Sequence, residues 1–276
     1  MIQIKAADVS NLRKTTGAGM MDCKRALQES NGDFDKALEI IRKKGKAIGI
    51  KRAEREAGEG VVLARVSEDG KRGVMIVLNC ETDFVAKNDQ FVKLAESIVD
   101  LAIEKNPADL DSLKQLKLND VSLSELIVEQ IGIIGEKLDL SYFEKIEDSK
   151  VIAYIHPGNK LATLVGLNIN NIDVQVGKDV AMQVAAMNPM AIDKDQIPKE
   201  VIDKEIEIGK EQARMEGKPE NILEKIALGK LNKFYKENTL LNQEFIKDKK
   251  KTIKQYLQET DKNLTVISFK RFSLKD

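Results

Sequence analysis

Few side chains in this sequence are suited to covalent or acid–base chemistry, and they are scattered along the chain. His156 is the only histidine, so a hydrolase of the cysteine–histidine type would have to pair it with Cys23 or Cys80. The residues HPGN around it are typical of a turn, where His156 is either a turn residue or a contact to a partner. The cysteines form no CxxC, which favours buried reduced thiols over a disulfide or a zinc site. We therefore predict that the chain is not an enzyme.

Motifs for phosphates and metals are equally weak. The GxG at residues 17–19 follows a predicted helix rather than a strand and lacks a third glycine, and no GxxxxGKS or GxxxxGKT loop is present. Glu81, Asp83 and Asp89 are carboxylates separated by apolar residues, which is a poor ligand set for a cation. We predict neither a bound cofactor nor a resident metal.

The segment at residues 79–90, NCETDFVAKNDQ, is more informative. It interrupts the apolar run at residues 74–78, which predicts an interior strand, and it precedes a predicted helix at residues 91–104. Phe84 therefore lies on a strand-to-helix connection, where a rigid scaffold can present a side chain to a partner. Two interpretations remain open, because Phe84 either caps the local core or contacts another protein.

The charge balance restricts the class of partner. Lys and Arg number 45, as do Asp and Glu, so the formal net charge is zero. Such a chain is not attracted as a whole to nucleic acid or a membrane surface, and we predict neither as a partner. The basic run at residues 247–254 has no interleaved aromatic residues, and we interpret it as a solvated helix face. With no apolar span of about 18 residues and no secretory core at the amino terminus, we expect a cytoplasmic protein.

The elements that position these residues begin with three short helices, predicted from apolar spacing at residues 6–14, 20–29 and 33–44. The second helix starts with Met20 and Met21, which either pack in a core or form an adaptable contact surface. Residues 46–59 are charged and punctuated by glycine, which predicts a linker with some helical character.

Hydrophobic periodicity then predicts two units that each consist of a hairpin and a helix. The predicted elements are strands at 61–66, 74–79, 151–155 and 161–169, helices at 91–104, 123–138 and 179–187, helical-hairpin segments at 197–215 and 220–235, and a final strand at 264–272. The fold class is therefore predicted to be α+β. The predicted domains are residues 1–45 (three helices), 46–59 (linker), 60–145 (first core subdomain), 146–196 with 239–276 (second core subdomain), and 197–238 (inserted helical arm).

Two long runs carry a family resemblance. LRKTTGAGMMDCKRAL at residues 12–27 and NCETDFVAKND at residues 79–89 resemble the two signature motifs of bacterial elongation factor Ts. The resemblance continues through AMQVAAMNP at 181–189, GKPENILEKIALGKLNKFYKE at 217–237 and LLNQEFIKD at 240–248. It covers nearly the whole chain in the order found in the family.

The resemblance implies a guanine-nucleotide exchange factor that binds elongation factor Tu in its GDP-bound and nucleotide-free forms. Such a factor disturbs the magnesium site of elongation factor Tu and promotes GDP release during translation elongation. The implied architecture is a ubiquitin-associated-like three-helix domain, two related α+β core subdomains, and an inserted hairpin suited to self-association or a two-to-two complex.

The resemblance also assigns roles to individual residues. The implied magnesium-displacing segment comprises Thr82, Asp83, Phe84 and Val85, with Phe84 as the inserted side chain. The implied amino-terminal contact comprises Arg13, Met20 and Met21, and His156 matches a turn histidine near the segment at 82–85. Some family members carry a further carboxyl-terminal helix, and we expect that contact to be absent here because the sequence reaches Asp276 soon after its final predicted strand.

Two alternatives of other classes remain. In one, the chain is an adaptor whose amino-terminal helices bind some other protein while the core is passive. In the other, it is an acid–base or thiol enzyme that depends on His156 or Cys23. The adaptor would leave the nucleotide off-rate of elongation factor Tu unchanged, and the enzyme would lose its activity in a His156→Ala or Cys23→Ala variant.

Overall fold

The computed structural model describes residues 4–52 and 54–275, without the side chains of Lys46 and Ile50, and shows an α+β protein. Asp276 lies outside the described residues. The helices are α1 (Ala6–Thr16), α2 (Met20–Glu29), α3 (Phe34–Arg52), α4 (Asp83–Ala86), α5 (Asp89–Lys105), α6 (Leu110–Gln115), α7 (Leu123–Ile134), α8 (Val174–Met187), α9 (Lys199–Met215), α10 (Leu223–Asn238) and α11 (Ile253–Thr260). The strands are β1 (Glu59–Val66), β2 (Arg72–Cys80), β3 (Lys117–Leu118), β4 (Val121–Ser122), β5 (Asp139–Glu147), β6 (Lys150–Ile155), β7 (Leu161–Leu167), β8 (Glu244–Phe245), β9 (Asp248–Thr252) and β10 (Val266–Ser273).

The three amino-terminal helices enclose a small core of their own, with Leu12, Cys23 and Leu27 almost fully buried. The prediction that the third helix ends at residue 44 was wrong, because α3 continues to Arg52. Packing explains the extra turns. Gly45 of α3 lies so close to Gly132 of α7 that a β-carbon added to Gly132 would lie 2.5 Å from the Gly45 α-carbon. Tertiary contact thus outweighs the low helix propensity of glycine, and α3 occupies the first part of the predicted linker.

Two antiparallel three-stranded sheets, ordered β1-β2-β5 and β10-β7-β6, pack face to face. Alternate residues of each strand point to opposite faces, and one shared layer lies between the sheets. That layer contains Val62, Ala64, Met75, Val77, Ile146, Val151, Ala162 and Leu164. The other face of the first sheet packs on α5 and α7, and the other face of the second sheet packs on α8 and α11. Both predicted β-hairpins and the returning final strand are confirmed, whereas β5 was not predicted.

The predicted helical hairpin is formed by α9 and α10. Its helices pack closely at Gly209, where an added β-carbon would lie 3.0 Å from the Ala227 α-carbon. Where the hairpin joins the second sheet region, Ala191 and Thr239 form a parallel β-bridge, and the buried side chain of Gln243 donates to the carbonyl of Glu237 at 2.8 Å. These contacts fix the base of the arm.

The interpretation of residues 247–254 as a helix face was wrong. Residues 248–252 form the strand β9, which is exposed at Lys249 and Lys250 and pairs with β8, and α11 begins only at Ile253. Thr252 caps α11 by accepting the Gln255 N–H at 3.3 Å. Within the described parts of the chain, no helix is long and apolar enough to cross a bilayer.

Candidate partner-binding site

The TDFV segment, residues 82–85, forms a single helical turn that points one aromatic side chain away from the protein. Thr82 caps α4, and its hydroxyl accepts the Val85 N–H at 3.4 Å. Val85 packs against the core beneath the first sheet and Ala86 is buried. Phe84, in contrast, is 82% exposed. The interpretation that Phe84 caps the local core was therefore wrong, because the core side of α4 is filled by its neighbours.

The carboxylate of Glu81 anchors the entrance to this turn. It accepts two hydrogen bonds from Arg52 Nη1, at 2.7 and 2.8 Å, and one from Arg55 Nη1 at 3.0 Å. The Lys137 N–H donates to the same carboxylate at 2.6 Å. Burial alone would raise the pKa of Glu81, but the Lys137 hydrogen bond and the two arginines outweigh burial and lower the pKa to about 2. Glu81 is thus held as an anion between the ends of α3 and α7.

Thr82 is fixed by a second carboxylate. The Thr82 N–H donates to Glu136 Oε2 at 3.0 Å, and its hydroxyl donates to Glu136 Oε1 at 2.7 Å. Beneath it, the Cys80 thiol donates to the Thr82 carbonyl at 3.2 Å. Burial raises the pKa of Cys80 to about 12, so the thiol stays protonated and is a poor nucleophile.

Asp83, the acid next to Phe84, also faces a cation of the protein. Asp83 forms an ion pair of 2.6 Å with Lys87, one turn later, and this contact lowers the pKa of Asp83. The carboxylates of Glu81 and Asp83 therefore each face a positive side chain of the protein and do not converge on a shared cation position. Among residues 4–52 and 54–275, no three acidic, cysteine or histidine side chains gather as ligands for a metal ion.

The predicted amino-terminal site residues are all exposed. Met20 and Met21 expose 58% and 62% of their surfaces at the start of α2, and Arg13 is exposed on α1. The turn between these helices contains Gly17 in the left-handed region (φ 71°), where glycine avoids the strain of a β-carbon. The interpretation of the methionine pair as core was wrong, since Cys23 and its neighbours fill the interior instead.

The exposed amino-terminal residues and the TDFV segment are both attached to α3 and α7. The amino-terminal core includes Ile133 of α7, and an added β-carbon on Gly17 would lie 3.6 Å from that side chain. Glu81, directly before the TDFV segment, pairs with Arg52 at the end of α3, and Thr82 is bonded to Glu136 just after α7. Nothing in the sequence marked these anchoring contacts, because their partners are about 30 to 55 residues apart.

His156 is exposed in the turn between β6 and β7, as predicted. The ring Nδ1 of His156 lies 2.9 Å from the Tyr154 hydroxyl, and the backbone N–H of His156 donates to the Leu161 carbonyl at 2.9 Å. Cys23 and Cys80 are buried in separate cores, so the structure does not bring the elements of a cysteine–histidine site together. His156 instead borders a cleft of about 490 Å³ whose lining also includes Ala86 and Lys87.

Comparisons with known proteins give a consistent result. A family model described as Elongation factor TS matches residues 81–276. A protein named Elongation factor Ts from Porphyromonas gingivalis is 52% identical over 268 residues, which cover 97% of each chain. Proteins of the same name from Amoebophilus asiaticus and Cytophaga hutchinsonii are 52% and 50% identical, over 97% and 99% of this chain and 98% and 100% of theirs.

Proposed function

This chain belongs to the elongation factor Ts family, and we propose that it promotes guanine-nucleotide exchange on elongation factor Tu during translation elongation in the cytoplasm. In this proposal the chain binds elongation factor Tu in its GDP-bound state, disturbs the magnesium site and stabilises the nucleotide-free state. It carries out no chemical step itself and requires no cofactor. The observation that carries the proposal is the 82% exposure of Phe84 on a turn whose other side chains are anchored.

The physical basis is a negative coupling between two ligands of the GTPase. A factor that binds the nucleotide-free GTPase more tightly than the GDP form must weaken GDP binding by the same factor. Magnesium bridges the phosphates to the GTPase, so a displaced magnesium site removes a strong electrostatic contact to GDP. If the chain supplies about 4 kcal/mol of differential contact, GDP release can accelerate by roughly three decades.

The TDFV segment is the part of the chain that acts on magnesium. Thr82, Asp83 and Val85 shape and hold the turn, and Phe84 enters the partner, where a desolvated aromatic anchor is commonly worth about 2 kcal/mol or more. Arg13, Met20 and Met21, the amino-terminal surface, bind the nucleotide domain of the same partner. The exposed methionine side chains suit this role because they adapt to a facing surface. His156 adds a contact beside the TDFV segment.

The domain assignment is part of the same proposal. Residues 1–45 form a ubiquitin-associated-like helical domain, followed by the linker at 46–59, whose first turns extend α3. The core subdomains are residues 60–145 and residues 146–196 with 239–276. The arm at 197–238 is available for self-association or a two-to-two complex, and Met215 at its tip is 81% exposed.

A Phe84→Ala variant tests the function. We expect GDP release at saturating factor to slow by about 30-fold, the rate equivalent of about 2 kcal/mol. The measurement is stopped-flow release of fluorescent GDP from elongation factor Tu. Met190→Ala removes another exposed apolar side chain, at 58%, outside the proposed contact surfaces, and serves as the control with an unchanged rate.

Three results would contradict parts of the proposal. Equal release rates for the wild type and Phe84→Ala would refute the role of Phe84. A wild-type chain that binds elongation factor Tu without changing the GDP off-rate would favour the adaptor function instead. A uniform loss in both variants would indicate that the effect comes from general loss of exposed apolar surface.

A further inference from the structure

The turn that carries His156 connects strands of the second sheet, but two contacts fasten it to the first sheet. The Val62 N–H on β1 donates to the Asn159 carbonyl at 2.7 Å. At the start of the same strand, Lys160 Nζ donates to Glu59 Oε2 at 2.6 Å. One backbone hydrogen bond and one ion pair therefore hold the His156 turn against β1.

Glu59 lies at the foot of the TDFV segment. It is paired across the sheet with Cys80, the last residue of β2, and its carbonyl accepts the side-chain amide of Asn79 at 3.2 Å. Gly60, which follows it, lies close to β2, since an added β-carbon would lie 2.8 Å from the Asn79 α-carbon. The strand end that carries Glu59 is therefore fixed relative to the start of the TDFV segment.

Lys160 is fixed on its own side and also lies near the TDFV segment. Its carbonyl accepts the Leu274 N–H at 2.9 Å. The pKa of Asp83 is lowered chiefly by its hydrogen bond to Lys87, and the charge of Lys160 adds to this effect. Lys87, His156 and Lys160 line the same cleft. The Lys160–Glu59 pair thus adjoins both the His156 turn and the TDFV segment.

We propose that Lys160 is a positioning residue for nucleotide exchange. Through Glu59 it holds the His156 turn beside the TDFV segment, so that both contacts meet the GTPase as one preformed surface. The inference rests on the proposed exchange function. The two contacts lie on different sheets, so packing within either sheet does not set their spacing. Contacts that are already held in place lose less free energy on association than contacts that must be ordered separately.

A Lys160→Gln variant of the full chain tests this role. The side chains of Lys160 and Glu59 are 32% and 37% exposed, and exposed ion pairs contribute little to the free energy of unfolding. We therefore expect an almost unchanged thermal midpoint. The factor concentration that gives half-maximal GDP release should rise about threefold. The rate at saturating factor should stay within about 1.5-fold, because a contact made equally in the bound and transition states affects affinity alone.

Two further variants address the ion pair itself. Lys160→Arg keeps the charge and the donors and should restore the wild-type concentration dependence. Glu59→Gln removes the charge from the other side and should raise the half-maximal concentration as much as Lys160→Gln does. A thermal midpoint that falls strongly in Lys160→Gln, together with a lower saturating rate, would show a purely stabilising role and overturn the inference.

The matched control is Lys270→Gln. Lys270 on β10 pairs with Glu144 on β5 at 2.9 Å, so this pair also joins the two sheets, and its side chains are 39% and 36% exposed. Glu144 lies opposite Met75, in the middle of β2 rather than at its end. We expect the control to keep the half-maximal concentration within about 1.5-fold. An equal increase in Lys160→Gln and Lys270→Gln would overturn the inference, since it would show a general effect of sheet–sheet contact.

A double-mutant cycle asks whether Lys160 acts through the His156 turn. In a His156→Ala background, the contact that Lys160 positions is absent, so Lys160→Gln should change the half-maximal concentration by less than about 1.5-fold. An equal fold change in both backgrounds would overturn the inference. A His156→Ala variant that matches the wild type would overturn it as well, because there would be no contact to position.

A last measurement does not depend on exchange. His156 is the only histidine, so its imidazole gives a single set of ring-proton resonances in the NMR spectrum of the free factor. At about pH 9 the imidazole is neutral, and a narrower resonance then reports a more mobile turn. We expect Lys160→Gln to narrow the resonance and Lys160→Arg to restore its width. An unchanged width would overturn the inference. A narrowed resonance together with a wild type that does not accelerate GDP release would instead refute the exchange function alone.

Discussion

The contact between Glu81 and the end of α3 offers a sensitive test of whether anchoring of the TDFV segment serves exchange. In a Glu81→Gln variant, the single amide oxygen can still accept the Lys137 N–H. The negative charge is lost, and with it the ion pairs with Arg52 and Arg55. We expect a modest loss of stability and a larger loss of exchange activity. The two effects have different causes and can be measured separately.

The structure sets the size of the stability effect. A pKa lowered from 4.5 to about 2 corresponds to about 3 kcal/mol in favour of the ionised carboxylate at neutral pH. Arg52 and Arg55 remain 27% and 59% exposed, so solvent screening reduces the expected loss to about 1–2 kcal/mol of unfolding free energy. Because folding lowers this pKa, the contribution is fully present above about pH 4.5 and disappears as the pH falls towards 2. Urea unfolding at pH 7 and at pH 3 should show a smaller difference between wild type and variant at pH 3.

The exchange effect follows from a less ordered TDFV segment. If the anchored geometry becomes about 1 kcal/mol less favourable, exchange falls by about fivefold. Glu220→Gln is the matched control, because Glu220 forms a two-point contact with Arg214 near the turn of the helical arm. We expect this control to exchange GDP at the wild-type rate.

A double-mutant cycle with Phe84→Ala decides whether Glu81 acts through Phe84. In the Phe84→Ala background, the side chain that the anchored turn presents is already gone, so Glu81→Gln should lower the exchange rate by less than about twofold. An equal fold reduction in both backgrounds would refute the reasoning, since it would show that Glu81 affects exchange by another route.

The remaining predictions concern close helix packing. Gly132→Ala places a methyl group 2.5 Å from the Gly45 α-carbon and should cost about 1–3 kcal/mol in a denaturant titration. Gly49→Ala, whose new methyl group meets only ordinary contacts at 3.8 Å or more, should be neutral or stabilising. In the arm, Gly209→Ala should lower the thermal midpoint, while Gly229→Ala, with no atom within 4 Å, should not. Equal effects of the two variants within either pair would contradict the packing argument.

Local signals in the sequence predicted the hairpins, the arm and most helix positions. The hairpin turns contain glycine or asparagine in the left-handed region, such as Gly70 and Asn159, and these residue types are typical of turns. The predicted helix boundaries were less accurate than the predicted helix positions. The helix predicted at 123–138 ends at Ile134 because Gly135 adopts φ 78°, and the helix predicted from 179 begins at Val174, after the cap provided by Asp173.

Elements whose stability comes from distant contacts were missed. β5 is half-buried, with an irregular pattern along Asp139–Glu147, and becomes a strand by pairing with β2. The candidate site also combines a feature that local sequence predicts with features that depend on distant contacts. Phe84 stood out in the sequence as an aromatic residue in an acidic loop, but its exposure depended on Val85 and Ala86 filling the core side. The cleft beside His156 could not be predicted, because it joins Lys87 to residues beyond position 155.

The shared attachment of both proposed contact surfaces has a consequence for affinity. Association loses more free energy when flexible groups must be ordered separately than when they are already held in place. The amino-terminal surface and the TDFV segment are both fastened to α3 and α7, through the Gly45–Gly132 contact, Ile133, and the Arg52–Glu81 pair. Docking of one surface therefore raises the effective concentration of the other at the partner. On this reasoning, Gly132→Ala, which disturbs the contact between α3 and α7, should weaken the affinity for elongation factor Tu more than Gly49→Ala does, as measured by fluorescence anisotropy.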